Sequence, residues 1–166
     1  MTTPRELPEP FERGVAALLR GDLPPGLHRL PSSGAGPDGA SPAATARAMA
    51  EEAGWWVLPF SAPDGDGGRG GTGGGEGPGR TKELLIEEFA TTFRFPAGTG
   101  RNWDALADLL TDLAWLPPAR GRLMLAAGWS EWCARDPDAP GIAESILEEA
   151  VEYWSGRAVP FAVLLG

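Results

Sequence analysis

The sequence predicts an α/β layer fold, a small parallel sheet packed with helices. Two continuous apolar runs, residues 123–127 and 159–165, have the composition of strands buried on both faces. Segments with helical spacing of apolar residues alternate with these runs and with two further strand candidates. A third observation is a well-capped amphipathic helix at residues 102–113, lying before the first of the apolar runs.

In chain order, residues 1–9 carry two prolines and three charges and read as a loose tail. Phe11, Val15, Leu18 and Leu19 form one stripe of a short helix stopped at Gly21. Pro24, Pro25 and Gly26 make a turn into a strand at 27–30, and 31–40 is a Ser/Gly/Pro loop. Ser41-Pro42 opens a second helix with a hydroxyl at the N-cap and proline in the first helical position; Gly54 closes it. Residues 55–60 form a strand on which Trp55 and Trp56 point to opposite faces. This strand–helix–strand order predicts that the first two strands are parallel neighbours.

Glycine dominates residues 63–80, predicting a flexible surface loop whose ordering entropy burial could not offset. A Gly-x-Gly-x-x-Gly match there is trivial in a glycine tract, and no helix opens at its end to hold a phosphate. Asp64-Gly65-Asp66 starts like a calcium loop, but Gly68 and Arg69 stand where ligand and turn residues are needed. Thr81 caps a helix carrying Leu84, Leu85, Ile86 and Phe89, which ends near Phe93. Residues 95–100 form a loop. Residues 129–140 read as another loop, whose Trp129 and Trp132 suit an interface or a lid over the core equally well. The last helix, 140–155, turns Ile142, Ile146, Leu147, Ala150 and Trp154 inward and repeats a carboxylate every fourth residue on its outer side, at Glu144, Glu148 and Glu152.

The helix beginning after Asn102 is the most informative segment. Trp103, Leu106, Leu109, Leu110 and Leu113 recur at helical spacing and mark a buried stripe. Asp104, Asp108 and Asp112 fall four residues apart, each step advancing roughly 40° around the axis, so all three lie opposite the leucines. Aspartate is a mediocre helix former, and like charges at this spacing repel. Only Asp104, in the first turn, gains from the helix dipole. An acidic binding face accounts for the other two; a solvated polar face is the plainer reading.

Composition narrows the function classes. The 166 residues carry a net charge of −9, with 23 acidic against 14 basic residues. Free nucleic acid is therefore a poor partner and a basic protein a good one. Cys133 is the single cysteine and His28 the single histidine, too few for an intrachain disulfide or a metal site of His and Cys ligands. Both read as structural, and no cofactor is expected. Neither a signal peptide nor a membrane-spanning run is visible, which predicts a cytoplasmic chain. Paired carboxylates could suggest glycoside hydrolysis, but such pairs face each other across a cleft, whereas Asp104 and Asp108 sit side by side on a convex helix. The expectation is a protein that is not an enzyme.

Residues 95–110, Phe-Pro-x-x-x-Gly-Arg-Asn-Trp-Asp-Ala-Leu-Ala-Asp-Leu-Leu, resemble the signature segment of the barstar family of ribonuclease inhibitors. The pattern continues in order through residues 54–166, leaving 1–53 as an N-terminal extension that packs on the sheet. The resemblance implies three core parallel strands, with a fourth available from the extension. It also implies a function: blocking a basic, secreted microbial ribonuclease or related toxin nuclease. Asp108 matches the family's central aspartate, which mimics a substrate phosphate. Asp104 matches its neighbour, and Glu152 (or Glu149) a peripheral carboxylate. Asn102, Trp103, Ala107 and the loop residues Gly98, Thr99 and Gly100, with Asp112 from the carboxylate spacing, complete the expected contact set. Two family aromatics are missing: the loop position is Gly98 or Thr99 here, and the residue between the aspartates is Ala107. A monomer is expected. The rival is a non-inhibitory interaction domain with the same fold, whose hallmark would be an apolar patch at Trp129 and Trp132.

Overall fold

The computed structural model describes residues 3–24, 26–31, 37–61 and 78–166. Among the described residues four strands, β1 (Leu27–Arg29), β2 (Trp56–Pro59), β3 (Arg122–Ala126) and β4 (Phe161–Leu165), form one parallel sheet in the order β1-β4-β3-β2. Six α-helices among the described residues surround it: α1 (Phe11–Arg20), α2 (Pro42–Glu52), α3 (Pro78–Thr92), α4 (Trp103–Leu110), α5 (Trp129–Arg135) and α6 (Asp138–Trp154). The α/β class with a small parallel sheet is thus observed.

Strand order follows from burial. Every residue of β3 and β4 is buried, so these strands take the centre, where both sheet faces are covered. The three-residue β1 and the proline-ended β2 take the edges, where a missing N–H does least harm. The expectation that β1 and β2 are neighbours is corrected: they lie at opposite edges, because the two fully apolar strands come between them.

Two cores flank the sheet. On one face Phe60, Leu85, Phe89, Phe93, Leu106, Leu110, Leu147, Met124 and Val163 pack with the helices of the C-terminal half. On the other, Val15 and Leu18 of α1 and Ala46 and Ala50 of α2 close over Trp55, Leu123, Leu125, Ala162 and Leu164. Trp55 belongs to the second core and Trp56 packs against the first, on opposite faces as the alternation requires. Gly121, just before β3, lies flat under Trp55: a Cβ there would sit 2.5 Å from the indole ring. Gly121→Ala is expected to cost about 1–3 kcal/mol through overpacking. A lower urea midpoint at unchanged slope would show it.

Several local expectations are corrected. The N-terminal tail is not loose at Arg5, which bridges His28: its N–H donates to the Leu27 carbonyl at 2.8 Å, and its own carbonyl accepts from Arg29 N–H at 2.7 Å, while residues 1–2 lie outside the described residues. The third helix starts at Pro78 rather than at Thr81. Residues 129–135 form α5 instead of a loop, because Trp129 and Trp132, three apart, both turn into the core. Ile142 faces outward at 44% exposure, since α6 buries Ala139, Ala143, Leu147 and Ala150 instead. Most of the glycine-rich loop predicted at 63–80, through residue 77, lies outside the described residues.

His28 is 2% exposed, and neither ring nitrogen has a hydrogen-bond partner. Burial first, then the charge of Arg5, push its pKa below the ordinary histidine value of 6.5; the Pro24 carbonyl offsets part of this without reaching bonding geometry. The folded state therefore resists protonation that the unfolded chain accepts. The His28 contribution to stability should be flat above about pH 7 and fall as pH drops below roughly 6.5, continuing down to the folded pKa. Urea titrations at stepped pH should show that slope, and His28→Phe should remove it.

Candidate partner-binding site: the acidic helix and its loop

Loop 95–102 and α4 stand on the face of the C-terminal core. Phe95 anchors the loop: its N–H donates to the Ala90 carbonyl at 2.9 Å, and its ring meets Trp115 edge-on at 6.0 Å. Trp115 Nε1 donates to the Phe93 carbonyl at 2.8 Å, tying the chain after α4 to the start of the loop. Pro96, Ala97, Gly98 and Gly100 are exposed and Thr99 half-buried. Gly98 adopts φ +84°, a conformation L side chains rarely take, with open space around it. Here the loop presents backbone and small side chains rather than a protruding aromatic.

Asn102 caps α4 as expected, its Oδ1 accepting from Ala105 N–H at 2.8 Å. Leu106 and Leu110 are fully buried, while Trp103, Ala107 and Leu109 are half-buried. Trp103 packs partly on the core and has Lys82 Nζ 5.8 Å from its ring centroid. One expectation fails here. The helix ends at Leu110, so Asp112 lies in the following turn rather than on a third helical step. Thr111 Oγ1 donates back to the carbonyls of Ala107 (3.3 Å) and Asp108 (3.0 Å), and Leu113 turns left-handed at φ +52°.

Asp104, Asp108 and Asp112 are all exposed. Among the described residues none of the three forms an ion pair. The nearest cation in sequence, Arg101, is directed elsewhere: Nη1 donates to Thr99 Oγ1 at 3.2 Å and Nε lies 4.0 Å from Glu87. From Asn102 to Leu113 the chain has three carboxylates and no cation, and α6 has five carboxylates and no cation. Glu152 and Glu149 are exposed near the end of α6, where the helix dipole disfavours negative charge. Glu144, expected on the outer side, is half-buried. It accepts from Trp129 Nε1 at 2.7 Å, and burial raises its pKa more than that bond lowers it.

Trp129 and Trp132 are 4% and 2% exposed; the latter's Nε1 donates to the Ser61 carbonyl at 3.0 Å. They form a lid over the core. The apolar patch that would mark the rival interaction domain is therefore missing at this position. Cys133 is half-buried, its pKa pushed up by burial and then by Glu144, which suits an unreactive thiol. Among the described residues no group of His, Cys, Asp and Glu could hold a metal, and no helix is long and apolar enough to cross a membrane.

Two contributors escaped sequence reasoning. Trp154 Nε1 donates to the Leu110 carbonyl at 2.8 Å, and Arg122, 7% exposed, stacks its guanidinium 5.3 Å from the Trp154 ring centroid. Arg122 begins an apolar strand, and no local pattern indicates that its charge is buried.

Residues 79–166 match the family described as Barstar (barnase inhibitor). No curated protein and no solved structure matches the chain. The matched segment takes in α4, α5, α6, β3, β4 and the whole of the acidic surface. The chain belongs to the barstar family.

Proposed function

We propose that the protein is a non-catalytic inhibitor that occupies the basic active site of a secreted microbial ribonuclease, or of a related toxin nuclease, before export. The observation that carries this reading is the run of exposed, internally unpaired carboxylates at Asp104, Asp108 and Asp112 beside an open, small-residue loop. Carboxylates left without internal cations are available for charge-assisted bonds to a partner's arginines and lysines. Asp108 is the central group, with Asp104 beside it, Asp112 in the adjoining turn and Glu152 (or Glu149) at the edge. Asn102 fixes where the helix begins, and Gly98, Thr99, Gly100 and Ala107 let the partner's surface come close to the backbone. Trp103 supplies the apolar margin. The protein acts as a cytoplasmic monomer with no cofactor.

Titrating barnase, a guanyl-specific ribonuclease, with this protein tests the reading. RNA cleavage should fall linearly to zero near one equivalent. Undiminished cleavage in the presence of excess protein would contradict it.

A further inference from the structure

Helix α4 has eight residues and no basic residue in its last turn, so it is too short to hold its own direction. Its C-terminal carbonyls are met from the body of the protein instead. Trp154, the last residue of α6, donates to the carbonyl of Leu110, the last residue of α4. Arg122, the first residue of β3, donates from Nη2 to the Leu113 carbonyl at 3.4 Å. The same guanidinium stacks on the Trp154 ring, so one buried cluster holds both carbonyls that flank Asp112.

Arg122 is a costly choice for packing alone. Burial lowers its pKa, its Nε has no partner, and its single hydrogen bond is long. Removing an arginine from water costs several kcal/mol, and a well-packed apolar residue is often as stable or more so. What an apolar residue could not do is grip a carbonyl beyond the helix and a tryptophan face together. Glu152 lies two residues before Trp154, so the contact that fixes α4 also fixes the end of α6 relative to it.

We infer that Arg122 and Trp154 are positioning residues for the acidic surface, locking the C-terminal end of α4 to the end of α6 so that Asp108, Asp112 and Glu152 meet a basic partner as one fixed set. This rests on reading the acidic surface as the contact surface. Preorganisation of this kind acts on how long a complex lasts, whereas the speed of encounter follows charge, which the cluster does not change.

The test uses the full chain with barnase as the probe. Trp154→Phe keeps the ring and its stacking but loses the donor to Leu110; Arg122→Met keeps the stem and loses the charge. Near-UV circular dichroism establishes that each variant is folded. In stopped-flow binding, each should dissociate about tenfold faster, with the association rate and its salt dependence unchanged. A merely structural role would lower the fraction of competent molecules and leave the dissociation rate alone; that result would overturn the inference. If the unmutated protein does not bind barnase, the contact-surface reading fails for this enzyme and amide hydrogen exchange decides the positioning claim. Exchange at residues 110–116 rising at least tenfold, with β3 and β4 unaffected, upholds the lock. A uniform rise, or none, removes it.

Discussion

Asp108→Ala should weaken the proposed complex with a ribonuclease by about 30-fold or more while leaving the free protein as stable as before, or slightly more so. Truncating one member of a desolvated charge pair in an interface costs about 2–5 kcal/mol, a general range to which complexes of this family have themselves contributed. Much of that is the cost of leaving the partner's cation buried and unpaired. The effect on folding has the opposite sign. Asp108 is exposed, sits past the first turn of α4, and makes no ion pair among the described residues. Alanine there relieves repulsion from Asp104, one helical step away, and improves helix propensity by roughly 0.5 kcal/mol. Calorimetric affinity and a urea melt on the same sample would show the two signs together. A structural aspartate would lose both, and a merely solvated one neither.

Removing residues 1–53 should abolish the soluble, cooperatively folded monomer, even though the family match begins only at residue 79. These residues supply β1, which pairs with β4, and the side chains of α1 and α2 that close the second core. Without them Leu123, Leu125 and Leu164 lose their cover. Each is worth roughly 1.5–3 kcal/mol when fully buried, so the three together approach the whole stability of a typical domain, about 5–15 kcal/mol. The cut would also open the β4 edge to pairing with other chains. Size-exclusion chromatography with light scattering should find the 54–166 fragment as aggregate. A monomeric fragment melting within a few degrees of the full chain would show that the extension is an accessory.

The two central strands were legible because a strand buried on both faces must be apolar throughout, and 123–126 and 161–165 are. Which strands neighbour one another was not, because periodicity marks elements while position in the sheet depends on which runs demand two covered faces. Helix α5 escaped because seven residues between a glycine and an aspartate look like a loop; the three-residue spacing of Trp129 and Trp132 was the available signal. The acidic surface was readable from spacing and cap, apart from Asp112. There the Thr111 hydroxyl bonds and the left-handed Leu113 end the helix early, a competition that the leucine stripe conceals. The hold of Arg122 and Trp154 on α4 joins residues 9 and 44 positions apart in the chain, which no local pattern encodes.

Stopped-flow association of the protein with a guanyl-specific ribonuclease, followed from low to high salt, probes the acidic surface most directly. If the three aspartates steer it into a cationic cleft, the association rate constant should fall steeply as ionic strength rises toward the range where the Debye length is about 8–10 Å. Replacing Asp104, Asp108 and Asp112 with asparagine should flatten that dependence. A rate that ignores both salt and these three substitutions would contradict it.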